Sequence, residues 1–95
     1  MISEEYAAAL AELFSALSDS SRLKIIAVLV EQELNVGAIA EMVELTESAT
    51  SHHLRGLRQM QLVRTRKVGR QVFYSLSDDH VATLFEIGLE HIIHG

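Results

Sequence analysis

The chain has 95 residues, 48% of them hydrophobic, and this length allows one globular domain over residues 1–95 rather than two. It contains no cysteine, which excludes disulfides, thiolate metal sites and a cysteine nucleophile, so any metal ligands must be imidazoles or carboxylates. No apolar run approaches the roughly 20 residues of a membrane span, and the acidic N-terminus lacks the basic start of a signal peptide. We therefore expect a cytoplasmic protein with no membrane partner.

The formal net charge of −5 hides an uneven distribution. All thirteen acidic residues lie at or before Glu47 or at or after Asp78, whereas residues 48–77 hold six of the eight basic residues. A basic segment on an acidic body is typical of a surface that contacts phosphate. A charge run alone would also fit a solvated face, so the assignment depends on where the cations fall.

Four helices are predicted in the first two thirds of the chain. Apolar residues recur at helical spacing, and small polar residues stand at the helix starts as caps. The predicted helices cover Ser3–Leu17, a segment from a cap at Asp19 or Ser20 through Val30, residues 36–43, and a segment from the Thr46 cap through about Met60. Between the second and third helices, Glu33–Asn35 is predicted to be a turn.

The hydrophobic period then changes from helical to alternating. Leu62–Arg66 and Gln71–Leu76 are strand-like, and they flank a predicted hairpin turn over Lys67–Arg70 with glycine where a positive φ is needed. Ser77 or Asp78 caps a last helix that runs to the C-terminus. Four helices, a hairpin and a helix indicate a mainly α winged helix-turn-helix with a β-hairpin wing.

The fourth helix and the hairpin carry the candidate DNA contacts. The helix begins with small polar residues, which allow its N-terminal end to enter the major groove. The residues predicted to reach base edges are Ser48, Thr50, Ser51 and His52, and Ala49 is a further predicted DNA contact beside them. The residues predicted to reach phosphates are His53, Arg55 and Arg58, and the wing cations Arg64, Arg66, Lys67 and Arg70 are predicted to meet the adjacent backbone or minor groove. The alternative is that the hydroxyls only cap the helix and the arginines only increase solubility. His52 and His53 point about 100° apart on a helix, which argues against a metal shared between them.

A second constellation, Asp78, His80, His91 and His94, occupies the last helix. His80 and His91 are about 16 Å apart along a helix, so one chain cannot bring both to one ion, whereas His91 and His94 can share one. Antiparallel pairing of two copies about a two-fold axis would place Asp78 and His80 of one chain opposite His91 and His94 of the other. This would form two four-ligand sites suited to tetrahedral zinc. Alternatively, His91 and His94 only complement the negative end of the helix.

Several segments resemble the ArsR/SmtB family of metal-sensing repressors over essentially the full chain. They are Phe14–Leu23, Glu33–Val36, Thr50–Arg55, Gly69–Leu76 and Asp78–Leu84. The Asp-x-His and His-x-x-His pairs are similar to those of the family's zinc and cobalt sensors with a last-helix site. The resemblance implies a homodimer that binds operator DNA when metal-free, releases it when zinc or cobalt binds, and so derepresses metal efflux or sequestration genes.

The resemblance also bears on the metal and on the coupling. The family's other site uses cysteines where this chain has Asn35 and Gly37, so its arsenic, cadmium and lead chemistry is not carried over. Nickel is less expected, because nickel sensors recruit extra ligands from chain ends that hold no further histidine here. In the resembling proteins, the residue matching His91 reaches the backbone at the position matching Gln61.

Three alternatives remain open from the sequence. They are a metal-independent repressor of the same fold, a nickel or cobalt sensor of the same family, and a winged helix that binds another protein. An enzyme is not expected, because no nucleophile–base pair, phosphate loop or catalytic carboxylate pair is visible.

Overall fold

Five helices and three strands follow one another in the computed structural model, which describes residues 1–95. In chain order they are α1 (Glu4–Ala16), α2 (Ser20–Glu31), β1 (Leu34–Asn35), α3 (Val36–Val43), α4 (Glu47–Gln59), β2 (Val63–Val68), β3 (Gln71–Leu76) and α5 (Asp79–His94). The predicted fold class, mainly helical with a β-hairpin wing, is confirmed. No helix combines the length and the apolar character that crossing a bilayer requires.

Each helix begins where a side chain satisfies free backbone N–H groups. Each capping side chain accepts a hydrogen bond from a backbone N–H two or three positions later. The pairs are Ser3 with Tyr6, Asp19 with Arg22, Asn35 with Ala38, Thr46 with Ala49, and Asp78 with both His80 and Val81. Of the two alternatives for the second helix the structure selects Asp19, and for the last helix it selects Asp78. The helix boundaries thus follow local capping chemistry that the sequence already displays.

The predicted turn over Glu33–Asn35 is wrong. Leu34 and Asn35 form strand β1, which pairs antiparallel with β3 in the register Leu34↔Tyr74 and Asn35↔Phe73. The wing is therefore a three-stranded sheet in the order β1-β3-β2. A two-residue strand is too short to show a period of its own, and its backbone is held by a partner far along the chain.

The wing hairpin has a tighter turn than predicted. β2 and β3 pair from Val63↔Leu76 to Val68↔Gln71, which leaves only Gly69 and Arg70 as the turn. Gly69 has a φ of 61°, in the left-handed region that two-residue hairpin turns require and that glycine adopts without a steric penalty. Lys67 and Val68, predicted as turn residues, belong to β2.

The core lies between α2, α3, α4 and the base of the wing. It is built from aliphatic side chains, of which Ile25, Ile26, Ile39, Leu54 and Leu57 are the largest fully buried ones. By contrast, α1 buries only Ala16 and leaves Tyr6 73% exposed, and α5 buries only Val81 and leaves Ile92 81% exposed. Two helices of the lone chain therefore present apolar faces that nothing covers.

Candidate nucleic-acid interface and metal ligands

Helices α3 and α4 form the helix-turn-helix. Residues 44–46 connect them: Glu44 takes a left-handed φ of 60°, the Leu45 N–H donates to the Ala40 carbonyl at 3.0 Å, and Thr46 caps α4. On α4, Leu54 and Leu57 are fully buried, which fixes the inward face of the helix. The opposite face is left at the surface, as a DNA-reading helix requires.

The predicted DNA contacts on α4 divide into three groups by burial. Ser48, His52, Arg55 and Arg58 are exposed, and Ala49, Ser51 and His53 are half-buried. Thr50 is fully buried, and its hydroxyl donates to the Thr46 carbonyl at 2.8 Å. The prediction that Thr50 reaches a base edge is therefore wrong, because its place in the helical period turns it inward with the core residues.

Arg22, which is not among the predicted DNA contacts, crosses from α2 onto α4. Its Nε donates to His53 Nδ1 at 3.3 Å, and its Nη1 donates to the Ala16 carbonyl at 3.2 Å. Asp19 Oδ2 lies 4.0 Å from the same His53 nitrogen. The only sequence signal for this interaction is an arginine just inside a capped helix start, and that gives no indication of a partner 31 residues away.

The wing presents three free cations and one that is paired. Arg64, Lys67 and Arg70 are exposed, and Arg64 makes only a 3.4 Å hydrogen bond to the Ser75 hydroxyl. Arg66 instead forms a two-point ion pair with Glu33, with Nη2–Oε1 and Nε–Oε2 distances of 2.5 and 3.1 Å. The prediction that Arg66 contacts DNA stays a prediction, although a carboxylate just beyond the end of α2 holds its guanidinium in the lone chain.

The ion pair shifts the titration of both partners. The hydrogen bond from Arg66 lowers the pKa of Glu33 below its ordinary value of 4.5. The same bond raises the pKa of Arg66. Both side chains therefore stay charged near neutral pH and hold β2 to the segment that leads into β1.

Gln61 lies at the junction of α4 and the wing. Its φ of 59° reverses the chain, its N–H donates to the Arg58 carbonyl, and the Leu62 N–H donates to the Leu57 carbonyl, both at 2.9 Å. This is a helix-ending motif that usually has glycine at the left-handed position. The predicted link from His91 to this backbone stays a prediction.

The four predicted metal ligands occur as two exposed pairs at opposite ends of α5. At the N-terminal end, Asp78 Oδ1 lies 3.5 Å from His80 Nδ1 and accepts the backbone N–H groups of His80 and Val81. At the other end, His91 and His94 are one turn apart, and His94 Nε2 lies 3.8 Å from the Glu90 carboxylate. No three such side chains converge within the single chain.

A two-helix motif with a short turn, an exposed second helix and a basic hairpin define a winged helix-turn-helix protein that binds DNA. The sequence profile described as "Bacterial regulatory protein, arsR family" matches residues 19–65. The chain is 46% identical over 92 residues to the transcriptional repressor SmtB homolog of Synechocystis sp., covering 97% of this chain and 70% of that protein. The chain belongs to the ArsR family of bacterial transcriptional regulators and is not an enzyme.

Two further comparisons agree with this assignment. The chain is 44% identical over 82 residues to a cadmium resistance transcriptional regulatory protein CadC homolog of Staphylococcus aureus, covering 85% of this chain and 68% of that one. The solution structure of a homodimeric winged helix-turn-helix domain from Mycobacterium bovis, a possible ArsR-family regulator, superposes with a TM-score of 0.84. Its sequence is 30% identical, and the match covers 99% of this chain and 94% of that one.

Proposed function

We propose that this chain is a metal-responsive transcriptional repressor. In this proposal a cytoplasmic homodimer binds operator DNA when metal-free and releases it when zinc or cobalt binds, which derepresses genes for metal efflux or sequestration. A cadmium-resistance regulator among the relatives supports a metal effector. The absence of cysteine restricts the ligands to nitrogen and oxygen, which favours zinc or cobalt over thiophilic ions.

The observation that carries the proposal is the arrangement of α5. Each end of the helix holds two exposed candidate ligands, and the surface between the ends is apolar and uncovered, with Ile87 63% exposed. An antiparallel pairing of two such helices would bury the apolar centre and bring unlike pairs together at both ends. Neither pair is sufficient alone, because a closed zinc site takes four ligands.

The donors fit this role chemically. Asp78 uses Oδ1 for both capping hydrogen bonds, which leaves Oδ2 available, and the imidazoles of His80, His91 and His94 are exposed. A bound zinc ion supplies a four-coordinate centre that accepts imidazole nitrogens and a carboxylate oxygen. Asp78 and His80 of one chain and His91 and His94 of its partner would hold it.

The same dimer would present two α4 helices to DNA. We propose that Ser48, Ala49, Ser51 and His52 meet base edges in the major groove, while Arg55, Arg58 and the free cations of the wing contact the backbone. A two-fold dimer reads half-sites roughly 34 Å apart. Metal-ligating histidines normally donate their second ring N–H, and we propose that His91 donates it to the backbone at Gln61, where α4 meets the wing.

The test is DNA binding by the full chain with and without zinc, measured by fluorescence anisotropy on its own promoter fragment. We expect tight binding in chelator and binding about 5- to 150-fold weaker in zinc, since allosteric couplings are typically about 1–3 kcal/mol. His91→Ala should bind DNA like the wild type and lose the response to zinc. The matched control, Glu86→Gln, changes an exposed α5 residue outside the ligand set and should keep the response.

Two results would contradict the proposal. DNA binding that zinc and chelator leave unchanged would favour a metal-independent repressor of the same fold. A response to nickel but not to zinc or cobalt would replace the proposed effector.

A further inference from the structure

Arg22 joins three parts of the molecule at the back of the DNA-reading helix. Its guanidinium bonds to the last turn of α1 through the Ala16 carbonyl and to α4 through His53 Nδ1, while its own backbone N–H is capped by Asp19 at 3.0 Å. The side chain is half-buried. An arginine held at both ends in this way is a fixed donor and is not a freely solvated charge.

The hydrogen bond identifies which nitrogen of the His53 ring is the acceptor. An arginine N–H can only donate, so Nδ1 must be the bare acceptor and the proton of the neutral ring must be on Nε2. Every buried side-chain nitrogen has a hydrogen-bond partner, whereas His53 Nε2 has none in the protein. Nε2 therefore lies at the surface. His53 lies in the second turn of α4, and its side chain is only 20% exposed. It therefore presents a single N–H donor to the outside.

Gly56 makes room for this arrangement. A Cβ at that position would lie 2.5 Å from Arg22 Nη2 and 2.9 Å from Cζ, which is closer than a carbon atom can approach. Gly56 lies one turn after His53 on the same helix, so the guanidinium rests directly on the α4 backbone. A side chain at Gly56 would displace the flexible end of Arg22, because no backbone atom is among the close neighbours.

We propose that Arg22 is a positioning residue for DNA binding, which holds His53 so that its Nε2–H can donate to the DNA backbone. The inference rests on the proposed DNA-binding function and goes beyond it, because it assigns a role to a side chain behind the interface. It also gives the predicted backbone contact of His53 a fixed direction, because Nδ1 is held by Arg22 and Nε2 is left for the DNA.

The first test compares Arg22→Gln with Arg22→Lys, both measured by DNA anisotropy at about pH 8, where imidazole is ordinarily neutral. Arg22→Gln removes the positive charge, whereas Arg22→Lys keeps it and loses the guanidinium Nε–H that reaches His53. We expect each variant to weaken DNA binding about tenfold, the scale of removing one hydrogen bond per subunit. Wild-type affinity in Arg22→Lys would show that the charge alone matters and would overturn the proposal.

A double-mutant cycle with His53→Ala tests whether Arg22 acts through His53. In the His53→Ala background, Arg22→Gln should change DNA affinity by less than about twofold. A full tenfold reduction in that background would show that Arg22 acts independently of His53, by touching DNA or by supporting the fold, and would overturn the proposal.

Gly56→Ala tests the same interaction without removing any charge. Alanine is a better helix former than glycine, so the melting temperature should hold or rise while DNA affinity falls, a combination that a purely structural role would not produce. Nitrogen NMR of the rings should place the wild-type His53 proton on Nε2. Finding it on Nδ1 would overturn the proposal, whereas a wild-type protein that does not bind DNA at all would overturn the proposed function instead.

Discussion

At the scale of single residues, side chains of one type have different roles according to what they meet. Arg66 and Arg70 both lie on the basic hairpin, yet Arg66 is bonded to Glu33 and Arg70 is free. Thr50 and Ser51 are neighbours on α4, yet Thr50 is fully buried and Ser51 is not. Composition therefore identifies the candidate DNA-binding region and overstates which of its members are available.

The Glu33–Arg66 pair gives a prediction about stability and pH. Because the folded state lowers the pKa of Glu33, the carboxylate stabilises the fold above its ordinary pKa of 4.5, and this contribution is lost as the pH falls through the lowered value. The melting temperatures of wild type and Glu33→Gln should differ near neutral pH and converge in acid. The difference should be small, since the pair lies at the surface, where solvent screens the attraction.

The matched control for that experiment is Glu31→Gln, which removes an exposed carboxylate two residues away that forms no ion pair. Its melting temperature should stay close to that of the wild type across the same pH range. A Glu33→Gln difference that is constant from neutral to acid pH would show that the ion pair is not its source.

At the scale of elements, the wing is a short sheet with a defined anchor. β1 joins the sheet to the helices by pairing with β3, and the Glu33–Arg66 ion pair holds β2 to the residue just before β1. The turn at Gly69 and Arg70 projects farthest from this anchor along the hairpin. The Glu33–Arg66 pair therefore orients the wing, whereas the free cations lie on both sides of it, with Arg64 toward the base and Lys67 and Arg70 toward the tip.

This difference predicts unequal salt dependence for two charge-removing variants. Arg70→Gln should reduce the slope of log affinity for DNA against log salt by about 0.9 for each phosphate that the arginine neutralises. Arg66→Gln should leave the slope close to that of the wild type, because its guanidinium is already neutralised by Glu33. Anisotropy titrations over a series of salt concentrations measure both slopes, and a larger change for Arg66→Gln would reverse the assignment.

Considered as a whole, the lone chain leaves large apolar surfaces uncovered. Only 13 of its 95 residues are buried, and the apolar faces of α1 and α5 are open to solvent. A groove of about 820 Å³ with mainly apolar walls runs between α2 and α5 and is lined by residues such as Phe14, Leu84 and Phe85. A homodimer would cover this surface, as an exposed apolar patch of this kind indicates.

Ile87 lies midway along α5, between the candidate metal ligands at its two ends. A substitution there tests directly whether two α5 helices pack against each other in the dimer. Ile87→Glu would place a carboxylate against its own copy in an apolar interface, and we expect the dimer dissociation constant to rise about a hundredfold or more. Sedimentation at micromolar concentration should then show a monomer, with weaker DNA and zinc binding. Glu86→Gln is the control, and a variant that stays dimeric would mean that α5 is not the shared helix.

The amino-acid sequence was sufficient to predict the helices, the hairpin and the fold class. Its caps at Ser3, Asp19, Thr46 and Asp78 and its hydrophobic periods act between residues a few positions apart, where chain connectivity already sets the distance. The candidate ligand pairs on α5 also consist of residues close together in the sequence. Such features can be predicted because no other part of the chain has to be placed first.

Which of the predicted side chains are free depends on long-range packing. Strand β1, the Glu33–Arg66 ion pair and the Arg22–His53 hydrogen bond each join residues more than 30 positions apart, and no local period encodes which of several possible partners is adjacent. The physical reason is that these residues become neighbours only when α2 packs against α4 and the wing in the folded core. The proposed four-ligand metal site is harder still to predict from one sequence, because its remaining distances depend on a second copy of the chain.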